Sequence, residues 1–179
     1  MQDEKSVVER AQKGDQNAFA QIYEEYFDRI YRYIAVRLGD RTEAEDLTEQ
    51  VFLKTLESIK SFKWKGMPFS AWLFRIAHNQ VIDHYRKMSK RQNLPLDEAI
   101  LSGGVDTALA AELNLTMDEL KIAMTKLTDL QRQVIILRFA SGLSIAETAK
   151  SMGKSDGAVK ALQHSAVAAL RKAMSGGWQ

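Results

Sequence analysis

Apolar positions along this chain recur at helical spacing and rarely alternate as they would in a strand. After the turn at Gly14-Asp15, Phe19, Ile22, Tyr23, Tyr26, Ile30, Tyr33, Ile34 and Leu38 fall on one face of a helix that Asp15 opens and Gly39-Asp40 ends. Thr42-Glu-Ala-Glu45 has the spacing of a capping box, in which hydroxyl and carboxylate each satisfy the other residue's backbone N–H. Ala44, Leu47, Val51, Phe52, Leu56 and Ile59 then supply a buried stripe. Lys60 to Phe69 reads as a loop. Pro68 suits the start of the next helix, where a missing N–H costs nothing. That helix carries Trp72, Leu73, Ile76, Ala77, Val81 and Ile82 inward, with Phe74 also expected in the core.

Between about Lys90 and Thr116 the pattern fails. Pro95 and Ser102-Gly103-Gly104 mark an exposed linker, with a short helix around Thr107 to Leu113. Periodicity resumes to Met174, punctuated by capping boxes at Thr116-Glu119, Thr128-Gln131 and Ser144-Glu147. The pattern predicts an all-α chain of two helical domains, residues 1–90 and 116–179, joined by a flexible linker over 91–115.

The second domain contains a short helix from Ser144, with Ile145, Ala149 and Met152 inward, then Gly153 as its stop. Ser155 caps a longer helix with Val159, Leu162, Ala166 and Ala169 inward, leaving Ala158, Lys160, Ala161, Gln163, His164 and Ser165 on the flanks and outside. Short helix, tight turn and longer helix make a helix-turn-helix, whose second helix can enter a DNA major groove. Small residues permit close approach there, and Lys154, Lys160 and His164 offer polar contacts.

Composition narrows the function. The chain of 179 residues has no cysteine, which excludes disulfides, thiolate metal sites and a thiol nucleophile within it. No apolar run is long enough to span a membrane, and the charged start MQDEKSVVER is unlike a signal peptide, so a cytoplasmic location without membrane insertion is expected. The histidines are only His78, His84 and His164. Carboxylates reach metal-ligand spacing only on the Glu43-Glu45-Asp46-Glu49 face, and neither an enzyme nor a cofactor is expected.

Net charge is +2, but the charges are segregated. From Phe62 to Arg91 the bases are Lys63, Lys65, Arg75, Arg86, Lys87, Lys90 and Arg91, against the single acid Asp83. From Gln92 to Asp118 there are acids and no bases. Such segregation points to different surfaces meeting different partners, although each run serves equally well as a solvated face. In the loop FKWKGMPF, aromatics that can stack on unpaired bases alternate with lysines that can hold a backbone, which suits single-stranded nucleic acid. Phe62 and Trp64 serve equally well as core residues. On the following helix Arg75, Asn79, Asp83 and Arg86 share one polar face, with Asp83 also placed to orient an arginine.

These segments, in this order, resemble a known family. RTEAEDLTEQVFLKTLESI and SFKWKGMPFSAWLFRIAHNQVIDHYRK resemble the polymerase-binding and promoter-melting segments of sigma-70-type RNA polymerase sigma factors. LTDLQRQVIILRFASGLSIAETAKSMGKSDGAVKALQHSAVAALRKAM resembles their C-terminal promoter-reading domain. A layout of only these two domains is similar to the extracytoplasmic-function group. The resemblance implies that residues 1–90 are sigma region 2 and 116–179 sigma region 4. It implies docking of Asp46, Leu47, Glu49, Gln50 and Leu53 on the β′ clamp helices of core RNA polymerase, and of region 4 on the β flap. Phe62, Lys63, Trp64 and Lys65 would capture a flipped base of the −10 element, with Arg75, Asn79, Asp83 and Arg86 along the strand. Ser155, Gly157, Ala158, Lys160, Ala161 and His164 would read the −35 duplex, with Arg171 on its backbone. The linker would enter the polymerase channels, and an anti-sigma factor would restrain the whole. The family often carries arginine at Ser165 and near Leu162, so this recognition helix is less basic than usual.

An alternative stays open at this stage. A helix-turn-helix regulator acting without a holoenzyme would also use the C-terminal domain, but it would bind duplex tightly alone.

Overall fold

The computed structural model describes residues 3–92 and 117–175. The proposed linker helix, the Thr116 cap and most of the linker lie outside the described residues. Among these residues there are helices and no strands.

The N-terminal domain comprises α1 (Glu4–Gln12), α2 (Gln16–Leu38), α3 (Arg41–Ser58), a 3₁₀ turn at Ile59–Ser61, and α4 (Phe69–Gln92). Asp15 caps α2 through the Ala18 N–H, and Gly39 ends it in the left-handed conformation at φ 70°. Helix α3 starts earlier than the sequence predicts. Asp40, not Thr42, is its cap and accepts from the Glu43 N–H, while Glu45 pairs with Arg41 at 3.0 Å instead of reaching back. Asp40 directly follows the glycine stop, so its carboxylate reaches the free N–H groups first.

The inner face of α3 also departs from the apolar pattern. Leu56 was expected inside but is 51% exposed, and Thr48 and Thr55 are buried in the stripe. Each threonine hydroxyl donates to the carbonyl four residues back, at 2.7 Å. A hydroxyl satisfied in this way can be buried, which an apolar-only reading misses. Fully buried Phe69, Phe74, Tyr33, Ile22, Ile30 and Leu73 fill the centre. Each such side chain contributes about 1.5–3 kcal/mol.

The C-terminal domain comprises α5 (Met117–Thr125), α6 (Asp129–Ile135), α7 (Ile145–Met152) and α8 (Asp156–Ser175). Both capping boxes expected here form, at Thr128-Gln131 and Ser144-Glu147. Helix α6 runs into a π-turn at Ile136–Ala140, closed by Ser141 N–H to Ile136 C=O at 3.0 Å. This single wider turn was not legible in the periodicity. Gly153 ends α7 at φ 65°, and Ser155 caps α8 through the Ala158 N–H.

The two domains are packed together. Helix α4 lies along α7, and α2 meets the π-turn segment.

Candidate nucleic-acid interface

Helix α3 presents Asp46, Glu49, Gln50 and Leu53 to solvent, with Leu53 61% exposed. Leu47 is buried, so it supports this edge from below instead of lying on it. Beside Leu53, the residues Phe19, Tyr23, Glu49, Phe52 and Leu56 line a shallow groove of about 280 Å³. Sequence reasoning found Leu53 and Glu49 but assigned Phe19, Tyr23 and Leu56 to the core. The outward signal was that Leu53 and Leu56 stand three apart, a spacing that shares a helix face.

The loop between the 3₁₀ turn and α4 is anchored at its start. Gln12 on α1 donates to the Ile59 and Phe62 carbonyls, both at 2.9 Å. Phe62 is buried, its ring centroid 5.0 Å from Trp64, 5.4 Å from Phe69 and 5.1 Å from Trp72. Edge-on contacts of this kind fix ring orientation. Trp64 and Trp72 are half-buried, and Lys63 and Lys65 are exposed on either side of Trp64. The Trp64 indole N–H is enclosed yet has no hydrogen-bond partner among the described residues.

On α4, Asn79, Asp83 and Arg86 are exposed, with Arg86 paired to Asp83 at 3.1 Å. Arg75 does not join them. It reaches the C-terminal domain, where it donates to the Lys150 carbonyl at 2.7 Å and to that of Ser151 at 3.5 Å.

In the helix-turn-helix, Val159 is fully buried and packs with Val134 and Ala149, fixing α8 against α6 and α7. Ser155, Gly157, Ala158, Lys160, Ala161, His164 and Arg171 are all exposed. Two neighbours are committed elsewhere. Gln163 accepts from Arg138 at 3.0 Å, and the Ser165 hydroxyl receives Gln131 at 3.1 Å. Gln131 therefore closes the α6 cap and steadies the recognition helix together.

Residues that join the domains escaped the sequence reading. Ser70, at the start of α4, donates to Glu147 at 2.6 Å, and Arg29 on α2 donates to the Ser141 carbonyl at 3.0 Å. Burial alone would raise the Glu147 carboxyl. Hydrogen bonds from Ser70 and from the Ser144 backbone and hydroxyl outweigh it and hold the group below its ordinary range. His78 Nδ1 lies 3.1 Å from the Tyr33 hydroxyl and 3.2 Å from Gln133 Nε2 of the other domain. Burial, and then the charge of Arg37, lower its pKa to about 4. It is neutral near pH 7. Of these residues only Glu147 carried a sequence signal, its capping box, and that pointed to its own helix.

Among the described residues no group of acids and histidines could hold a metal ion, and no helix is long and apolar enough to cross a membrane.

Comparison with known proteins matches this layout. Residues 22–91 fit the family model for Sigma-70 region 2, and residues 123–172 that for Sigma-70, region 4. The chain is 40% identical over 168 residues to the ECF RNA polymerase sigma factor BldN of Streptomyces coelicolor, covering 93% of this chain and 64% of BldN. It is 34% identical over 181 residues to the ECF RNA polymerase sigma factor SigW of Bacillus subtilis, covering 94% and 95%. Among solved structures, the sigma factor RpoE in complex with the anti-sigma factor NepR from Bartonella quintana matches at TM-score 0.67 and 25% identity, covering 88% of this chain and 96% of that one. CnrH in complex with the cytosolic domain of CnrY shares the fold at TM-score 0.68 and 24% identity, covering 96% of each chain.

Proposed function

This chain belongs to the ECF group of RNA polymerase sigma factors, and we propose that it directs core polymerase to a specific set of promoters by dividing recognition between its two domains. It catalyses no reaction of its own and needs no cofactor. It acts in the cytoplasm, where its polymerase is.

Region 2 docks through the exposed edge of α3: Asp46, Glu49, Gln50 and Leu53, with Leu47 holding the helix in place. The acidic members attract a basic partner, and Leu53 with the adjoining groove supplies the apolar anchor. Region 4 sits on the β flap and lays α8 in the major groove at the −35 element. Gly157, Ala158 and Ala161 let the helix approach closely; Lys160 and His164 meet base edges or phosphates, and Arg171 the backbone. Ser155, as the cap, sets the N-terminal turn against a phosphate.

The aromatic–basic loop then captures the −10 strand. Extruding a base costs a few kcal/mol, which a prepared pocket offsets. Trp64 offers a stacking face and an unsatisfied donor, Lys63 and Lys65 hold phosphates, and Phe62 buttresses the loop from inside. Asn79, Asp83, Arg86 and Arg75 continue the path along α4. Capture shifts the duplex-to-bubble equilibrium without ATP. An anti-sigma factor, as in the RpoE–NepR complex, is the partner that restrains it.

The observation that carries this reading is one chain holding both an aromatic–basic loop and a helix-turn-helix, each within its own family segment. Core polymerase should be captured stoichiometrically by the tagged protein and not by an Asp46→Ala/Gln50→Ala variant. The pair should also yield promoter-dependent transcripts from genomic templates. Tight duplex binding by the chain alone, without polymerase capture, would instead establish a conventional regulator.

A further inference from the structure

We propose that the α4–α7 contact is a self-blocking latch, in which region 4 occupies Arg75 and so competes with the −10 strand for region 2. The inference rests on the placement of Arg75 along the strand path in the preceding reading.

The polar part of the latch is built from charge and carbonyls, beside an apolar core that runs continuously from one domain into the other. Arg75 points its guanidinium at the last carbonyls of α7, where a helix presents its negative end. A phosphate is the other natural partner of that group, and the geometry allows one at a time. Five residues earlier on the same helix, Ser70 binds the Glu147 carboxylate. Arg29 holds the Ser141 carbonyl, and Gln133 meets His78. All four contacts join region 2 to region 4, so they break together when the domains separate.

The closed state is also taxed. The hydroxyls of Ser141, Thr148 and Ser151 are buried and find no partner among the described residues. Ser141 and Ser151 are the residues whose carbonyls the arginines hold, and Thr148 lies one turn before Ser151. A buried hydroxyl without a partner has given up its water for nothing, which weakens the state that buries it. Hydroxyls left without partners offset part of what the contact gains, and a strand that offers Arg75 a phosphate can compete with it.

The test uses the absence of native cysteine. Asn17→Cys and Lys126→Cys, both at exposed sites away from the residues proposed to meet polymerase or DNA, carry spin labels in the full chain. Distances between them are measured by pulsed electron resonance in three backgrounds: otherwise native, Ser70→Asp, and Ser70→Asp with Glu147→Gln. Asp at the start of α4 suits that helix end, but it faces Glu147 and should drive the domains apart. Gln at 147 keeps the capping box, removes the repulsion and should restore closure. Recovery through a change in the other domain shows that region 2 of the Ser70→Asp protein is folded.

Binding of a mixed-sequence twelve-nucleotide single strand is read alongside. Ser70→Asp should bind about fivefold tighter than the reclosed double variant, because apparent affinity scales with the competent fraction. Net charge alone predicts the reverse, since the double variant has one acid fewer. One distance distribution shared by all three proteins, or opening without tighter binding, overturns the latch. Polymerase-dependent transcription by the native chain is scored separately, so a failed latch and a failed sigma reading give different results.

Discussion

His78 shows how a single group ties stability to pH. Its folded pKa, about 4, lies below the ordinary 6.5, and the cause is burial followed by the charge of Arg37. Between these values the unfolded chain binds a proton that the folded chain refuses, so stability is full above pH 6.5 and falls as pH drops toward 4. The expected slope is about 1 kcal/mol per pH unit. Denaturant midpoints at pH 7 and pH 5 will reveal it, and His78→Asn, whose amide oxygen can replace Nδ1 as acceptor, should flatten the difference. The sequence could not have disclosed this role. A lone histidine on a helix is silent about Tyr33, forty-five positions earlier, and Gln133, fifty-five later. By contrast the polar caps Asp15, Thr128 and Ser144 were legible, because their partners lie three residues away.

Elements were legible to the extent that their packing is local. The helix-turn-helix followed from Ser144, Gly153 and Ser155, and each does what its position predicts. Ser144→Ala should cost about 1 kcal/mol in thermal or denaturant unfolding through loss of the cap. Gly153→Ala should cost about 1 kcal/mol too, from backbone strain alone, since an added methyl meets nothing within 4 Å. Helix α3 was harder, because threonines stand in its core and leucines on its surface. That inversion has a functional counterpart. Leu53→Asp should leave stability within about 0.5 kcal/mol of native, as an exposed change, yet lower polymerase capture at least about tenfold. Thermal unfolding and a quantitative pull-down separate the two effects.

At the scale of the whole molecule, the two-domain plan was readable from charge segregation and the loss of periodicity, but the packing of one domain on the other was not. It depends in part on backbone carbonyls at Ser141, Lys150 and Ser151, whose availability no residue type encodes. Arg75→Ala should therefore act in two directions. The free chain should sample longer interdomain distances in solution scattering, while promoter opening by the holoenzyme, followed with a fluorescent base analogue in the −10 strand, should fall about tenfold. Loss of opening with no change in scattering would mean that the arginine serves the strand alone.

The π-turn at Ile136–Ala140 has a geometric consequence for the bearing at which the chain leaves α6. One residue more than an α-helical turn needs is stored there, and a residue advances a helix by about 100°. The turn is thus a phase offset written into the backbone where α6 ends. Deleting Phe139 would cancel that offset and swing Ala140 and Ser141 round the helix axis by about 100°. The direction in which the Ser141 carbonyl meets Arg29, and so one tie between the domains, follows from that single residue.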